Sequence, residues 1–165
     1  MEIDEQQIEM EVKQRTSDVS VADEFTFKKF MLSERLIKSL DKLNYTKPSP
    51  VQLKILPLCR CTFDMIIQAK SGTGKTLGFT ICLLENYNSD LKFPSVLVIV
   101  PTRELAVQIV TALNDLGQSF KCFRAEYFIG GTELAKDRAK IQSTKVVVGT
   151  PGRFVSLFET KSLNK

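Results

Sequence analysis

The residues with the plainest chemical meaning are Ala69-Lys70-Ser71-Gly72-Thr73-Gly74-Lys75-Thr76. The general phosphate-loop pattern is G-x-x-x-x-G-K-[ST], and here Gly74-Lys75-Thr76 fit it while Ala69 stands in place of the leading glycine. The requirements of the chemistry survive that change. Gly72 and Gly74 allow the backbone to curl so that successive N–H groups point inward at phosphate oxygens. A helix starting near Lys75 aims the positive end of its dipole at the same place. Lys75 can reach the outer phosphates, and the Thr76 hydroxyl can ligate Mg²⁺ held by the nucleotide. Ser71 and Thr73 complete the ATP-binding candidates within the loop.

Other segments offer matching chemistry. Gln52 presents one acceptor and two donors, a set that matches N6 and N7 of adenine, and Tyr45 is an aromatic able to stack on a base. Taken alone, Gln52 reads as an exposed helix residue. Pro101-Thr102-Arg103 and Thr150-Pro151-Gly152-Arg153 each follow a Val/Ile-rich run, and Gly130-Gly131 closes the apolar run ending Tyr127-Phe128-Ile129. Each of the first two offers a hydroxyl, a guanidinium and a helix N-terminus, a combination suited to phosphate. Singly, each is also an ordinary strand-to-helix turn with a capping threonine.

These groups need elements to hold them. Leu36, Ile37, Leu40 and Leu43 recur at helical spacing, which predicts an amphipathic helix over 33–43 with Ser33 as N-cap. Lys47-Pro48-Ser49-Pro50 ends it, and a short helix is expected over 51–58. From there the pattern alternates. Strands are expected at 64–69, 95–100, 126–129 and 145–149, with helices over 76–87, 104–116, 132–142 and after Arg153. Strands nearly continuous in Val and Ile, alternating with helices, predict an α/β fold with a parallel sheet covered on both faces. In such sheets ligands sit at the carboxyl ends of the strands, where all these turns fall.

The chain of 165 residues suits one domain. Residues 1–24 carry eight acidic side chains against Lys13 and Arg15, a net −6 that leaves +10 on the remainder of a chain whose total is +4. The first 24 residues lack hydrophobic periodicity and are expected to form a flexible acidic tail, with the folded body from about Phe25. A basic body is compatible with a polyanionic partner and equally with a solvated basic surface. No apolar run approaches the ~20 residues of a membrane span, so no membrane partner is expected. The four cysteines (Cys59, Cys61, Cys82, Cys122) lie in or beside apolar stretches, and the chain has no histidine. Reduced, partly buried thiols in a cytoplasmic or nuclear protein are the expectation.

The order of these segments resembles the first RecA-like domain of the DEAD-box ATP-dependent RNA helicases. Phe27, Tyr45, Pro48, Ser49, Val51 and Gln52 resemble the family's Q motif with its upstream aromatic. Residues 69–76 resemble motif I, which in this family begins with Ala. Pro101-Thr102-Arg103-Glu104-Leu105 resembles motif Ia, Gly130-Gly131 the double-glycine motif, and Thr150-Pro151-Gly152-Arg153 motif Ib. The resemblance covers about residues 25–160. It implies a three-layer P-loop NTPase (RecA-like) sheet, with ATP and Mg²⁺ as cofactors and RNA as partner. Phe27, Tyr45 and Gln52 would serve the base, and Ser71 to Thr76 the phosphates. Pro101, Thr102, Arg103, Gly130, Gly131, Thr150, Pro151, Gly152 and Arg153 would follow the RNA backbone without reading sequence. Within the family, residues 48–54, 68–76 and 128–132 are most similar to the DEAD-box component of the survival motor neuron (SMN) complex, which implies SMN-complex proteins as partners.

Two departures qualify the resemblance. Asn44 stands where the family usually has Gly. No Asp-Glu-Ala-Asp and no Ser-Ala-Thr occurs in the chain, so the carboxylates that the family uses for Mg²⁺ and for the attacking water are not present. The expectation is therefore a partial helicase domain over 25–165, its sheet incomplete at the C-terminus, that binds ATP or ADP weakly without turnover. The alternative is a non-catalytic, truncated module that binds RNA or a partner. An incomplete sheet would leave unpaired backbone and apolar surface exposed.

Overall fold

The computed structural model describes residues 25–61, 64–91 and 94–159. The expected acidic tail over 1–24 lies outside the described residues. Three parallel strands form the sheet: β1 (Val96–Ile99), β2 (Ala125–Phe128) and β3 (Val146–Gly149). Their spatial order is β1-β3-β2, with Val146 in register with both Val96 and Ala125. Parallel neighbours need a crossover, and the helices supply it. α4 (Arg103–Gly117) connects β1 to β2, and α5 (Leu134–Ile141) connects β2 to β3. α6 (Pro151–Glu159) follows β3. Before the sheet come α1 (Glu34–Lys42), α2 (Pro50–Ile55), a 3₁₀ turn (Leu56–Leu58) and α3 (Lys75–Glu85).

β3 is central, and all four of its residues are buried. Its side chains alternate between the two faces, as the pleat demands. Val146 and Val148 pack with Ala106, Ile109, Val110 and Leu113 of α4. Val147 faces the other way, with Phe128, Ile141, Phe154 and Leu157 under α5 and α6. A third apolar cluster joins α1, the 3₁₀ turn and α3 through Leu36, Leu40, Leu56, Ile81 and Leu84. This is the expected three-layer α/β arrangement, with element ends within two residues of those predicted.

The expected strand at 64–69 is a correction. These residues form no strand, Ile66 is fully exposed, and Met65 is partly so. An apolar run becomes a strand only when another strand pairs with its backbone. None of β1, β2 or β3 does so. The exposed apolar surface anticipated for the sheet is present, because Leu97 and Ile99 on the outer strand β1 are about half exposed.

The cysteines are a second correction. Cys59 and Cys82 form a disulfide with their Cα atoms 4.7 Å apart, joining the end of the 3₁₀ turn to α3. Both lie on apolar faces of the same helical layer, and that shared burial brings them together. Asn86 Nδ2 donates to the carbonyls of both Cys59 (2.5 Å) and Cys82 (2.8 Å). Cys61 and Cys122 are free and exposed rather than partly buried.

Candidate functional site

The loop before α3 has the shape its residue types predict. Gly72 and Gly74 take φ values of +75° and +93°, a left-handed conformation that costs a side-chain-bearing residue. Thr73 Oγ1 donates to Lys70 O at 2.9 Å and closes the turn. Lys75 curls back so that its ammonium donates to the carbonyls of Ala69 and Lys70. The ammonium is therefore held across the mouth of the loop at the N-terminus of α3. The set fits a polyphosphate: backbone N–H groups, a helix N-terminus and one cation. Ser71 and Thr76 are exposed beside it. Among the described residues no group of three or more His, Cys, Asp or Glu side chains could hold a metal. The Thr76 hydroxyl at the start of α3 is the oxygen the loop offers to a metal ion carried by a nucleotide.

Gln52 is wired to this loop. It is buried, not exposed. Its Oε1 accepts from Ser49 N–H at 2.8 Å, and its Nε2 donates to Gly74 O at 2.9 Å. Pro50 begins α2 and Ser49 caps it, so the sequence breaker that ends α1 also aims Gln52 at the phosphate loop. A Cβ added at Gly74 would lie 2.6 Å from Gln52 Nε2. The amide is thus seated against a position that only glycine can occupy.

Asn44, the departure from the family pattern, adopts φ +60°, a conformation asparagine tolerates better than other side chains. Tyr45 follows it with an exposed ring and its N–H bonded to Leu40 O at 2.9 Å. Phe27 is placed differently from the expectation. It is buried in the cluster of Leu36, Leu40 and Leu56, so its ring packs the core instead of presenting a face to a base.

The other three turns share the carboxyl edge of the sheet. Thr102 caps α4, its Oγ1 accepting from Leu105 N–H at 3.2 Å. Arg103 is exposed, and its guanidinium crosses to the turn after β2, where a Cβ on Gly130 would lie 3.0 Å from Nη2 and one on Gly131 3.3 Å from Nη1. Gly131 also takes φ +97°. Thr150 N–H donates to Phe128 O at 3.3 Å, tying the turn after β3 to the end of β2. Pro151 and Gly152 are exposed at the start of α6. Arg153 turns inward: Nε and Nη2 both meet Asp137 Oδ2, at 2.8 and 2.7 Å, and Nη2 also donates to Thr132 O at 2.9 Å.

Asp137 was not among the sequence-based candidates. The signal was available: Leu134, Asp137 and Ile141 fall at i, i+3 and i+7, which puts a carboxylate on the inward stripe of α5. Asp137 is fully buried there.

Residues 49–165 match the DEAD/DEAH box helicase family. This chain belongs to that family. It is 42% identical over 155 residues to a mouse protein named probable ATP-dependent RNA helicase DDX20, covering 91% of this chain and 18% of the mouse protein. It is 40% identical over 142 residues to the ATP-dependent RNA helicase DeaD of Buchnera aphidicola from Schizaphis graminum, covering 86% of this chain and 24% of that protein. The structure of yeast Dbp5 bound to RNA and ADP BeF3 superposes with a TM-score of 0.75 at 29% identity, covering 84% of this chain and 35% of Dbp5. A DEAD box protein from Methanococcus jannaschii gives 0.78 at 28% identity, covering 84% of this chain and 38% of that one. The chain thus has the RecA-like α/β fold of the family and spans about a fifth to a quarter of the length of these curated relatives.

Proposed function

We propose that this chain is the nucleotide- and RNA-binding part of an ATP-dependent RNA helicase. ATP sits with its phosphates on Ser71 to Thr76, Lys75 neutralising the outer phosphates and Tyr45 and Gln52 on the side of the base. Thr76 would be the side chain to hold a Mg²⁺ ion at the nucleotide, whose charge would offset that of the phosphates. To face adenine, Gln52 gives up Gly74 O, so base recognition and loop shape draw on one amide. RNA lies along Pro101, Thr102, Arg103, Gly130, Gly131, Thr150, Pro151 and Gly152, held by its sugar–phosphate backbone. The chain contains no Asp-Glu-Ala-Asp, so residues 1–165 bind nucleotide without hydrolysing it, and the whole protein couples hydrolysis to local duplex opening or RNP remodelling. The resemblance of residues 48–54, 68–76 and 128–132 to the DEAD-box component of the SMN complex is the ground for proposing SMN-complex partners, and with them a cytoplasmic or nuclear location.

The observation that carries this reading is the single sheet edge that gathers all three strand-end turns, with Arg103 reaching across it. Binding of labelled single-stranded RNAs of unrelated sequence tests it. Similar affinities that weaken together with rising salt are expected. No binding, or a strong preference for one sequence, contradicts it.

A further inference from the structure

We propose that Asp137 is a positioning residue for the RNA edge, and that Arg153 acts through it as an internal clip instead of a phosphate ligand. The inference rests on the RNA-binding reading of that edge. The two arginines of the edge are in opposite situations. Arg103 is exposed and has no ion-pair partner among the described residues. The Arg153 side chain is 10% exposed and that of Asp137 1%. One edge of the Arg153 guanidinium, Nε with Nη2, is spent on Asp137 Oδ2, and Nη2 also meets Thr132 O and Thr132 Oγ1 (2.9 and 3.2 Å). The Thr132 hydroxyl lies within reach of Ile129 O at 3.0 Å and Asp137 Oδ2 at 3.3 Å.

A phosphate that took Nε or Nη2 from Asp137 would strip a buried carboxylate of its counter-charge and set a second negative charge beside it. Besides Arg153, Asp137 meets the neutral Thr132 hydroxyl, and its Oδ1 is buried without a hydrogen bond, so no second cation among the described residues compensates its charge in the contacts around it. Buried charges separated from their partners are strongly disfavoured. The pair is neutral as a unit, so it adds little to the field that draws RNA. What it does is mechanical. Arg153 stands on α6, at the end of the turn that carries Thr150; Thr132 belongs to the turn that carries Gly130 and Gly131; Asp137 stands on α5. The clip fixes the turns after β2 and β3 to each other, so that Thr150 and Gly131 meet one RNA strand in register.

The test uses the full chain with Asp137→Asn, Arg153→Gln, the double variant and Arg103→Gln, each titrated with fluorescent single-stranded RNA across a range of salt. Removing one cation that pairs with an RNA phosphate reduces the slope of log affinity against log salt by about 0.7. Arg103→Gln is expected to show that reduction. Arg153→Gln and Asp137→Asn are expected to weaken RNA binding about tenfold at every salt concentration with the slope unchanged, and the double variant to be no worse than either. ADP affinity at the phosphate loop should not move, which separates a misplaced edge from an unfolded chain. A slope reduced by Arg153→Gln as much as by Arg103→Gln overturns the proposal, as does unchanged RNA affinity in Asp137→Asn. If Asp137→Asn also loses ADP binding, the slope of Arg153→Gln alone decides between clip and ligand. Failure of the unmodified chain to bind RNA defeats the RNA-binding reading itself, and the clip with it, before any variant is compared.

Discussion

Replacing Gly74 with alanine should cost more than replacing Gly72, for a reason visible only in three dimensions. Both positions have positive φ, +93° and +75°, and a left-handed conformation costs an alanine about 1–2 kcal/mol. At Gly72 nothing lies within 4 Å of the added Cβ, so that is the whole effect. At Gly74 the Cβ meets Gln52 Nε2 at 2.6 Å and Ser49 Oγ at 3.0 Å. Gln52 must swing away, losing its 2.9 Å bond to Gly74 O in a place where it is only 3% exposed and water cannot replace the partner. An unsatisfied buried amide adds about 1–3 kcal/mol. Gly74→Ala is therefore expected to destabilise the chain by about 2–5 kcal/mol, against about 1–2 kcal/mol for Gly72→Ala. Urea unfolding followed by circular dichroism reads both. The decisive arm is the same substitution in a Gln52→Ala background, where the penalty should fall toward the value seen at Gly72, with only the 3.0 Å approach to Ser49 Oγ remaining. Equal costs at the two glycines, or no relief from Gln52→Ala, would refute the claim that the amide is seated on the loop.

Two further outcomes follow from the layer behind the loop. The Cys59–Cys82 bond closes a segment with a sequence separation of 23, for which chain entropy gives about 3 kcal/mol of stabilisation; reductant should lower the urea midpoint accordingly, and Cys82→Ser should abolish the response. Without reductant, only the exposed Cys61 and Cys122 should react with a thiol reagent, and four reactive thiols would contradict the bond. Tyr87 packs edge-on against Phe120 and Phe123, and burial, followed by the neighbouring Cys122 thiolate, raises its pKa above the ordinary tyrosine value. The folded state then holds the phenolic proton longer than the unfolded state. Its contribution to stability is complete below about pH 10 and falls as pH rises through the raised folded value. Tyr87→Phe should flatten that part of the stability profile, measured by urea midpoints across pH, and an unchanged decline would remove Tyr87 as its source.

The fold was largely legible because its signals are local. The 3.6-residue recurrence of Leu36, Ile37, Leu40 and Leu43, the prolines at 48 and 50, and the β-branched-rich runs at 96–99 and 146–148 each specify an element without reference to distant chain. The phosphate loop was legible for the same reason, since φ-permissive glycines, lysine and threonine are adjacent. What escaped was non-local. The run Met65-Ile66-Ile67 has strand composition but no strand beside it, and composition cannot report a missing neighbour. The partners of Gln52 lie 3 and 22 residues away, so an amide that looked like a solvent-facing helix residue became a buried bridge. Phe27 and the cysteine pair were decided by which apolar faces meet. The Arg153–Asp137 contact spans 16 residues across two elements, and only the apolar neighbours of Asp137 on α5 pointed to it.

The central claim, that residues 69–76 hold nucleotide phosphates through Lys75, is tested most directly by calorimetric titration of the full chain with ADP and Mg²⁺, beside Lys75→Ala. One charged hydrogen bond is worth about 1.5–3 kcal/mol. The account predicts measurable binding that weakens at least about tenfold in the variant, with the urea midpoint little changed because the ammonium bonds only to exposed or partly exposed loop carbonyls. Equal affinity for ADP in the two proteins would contradict it.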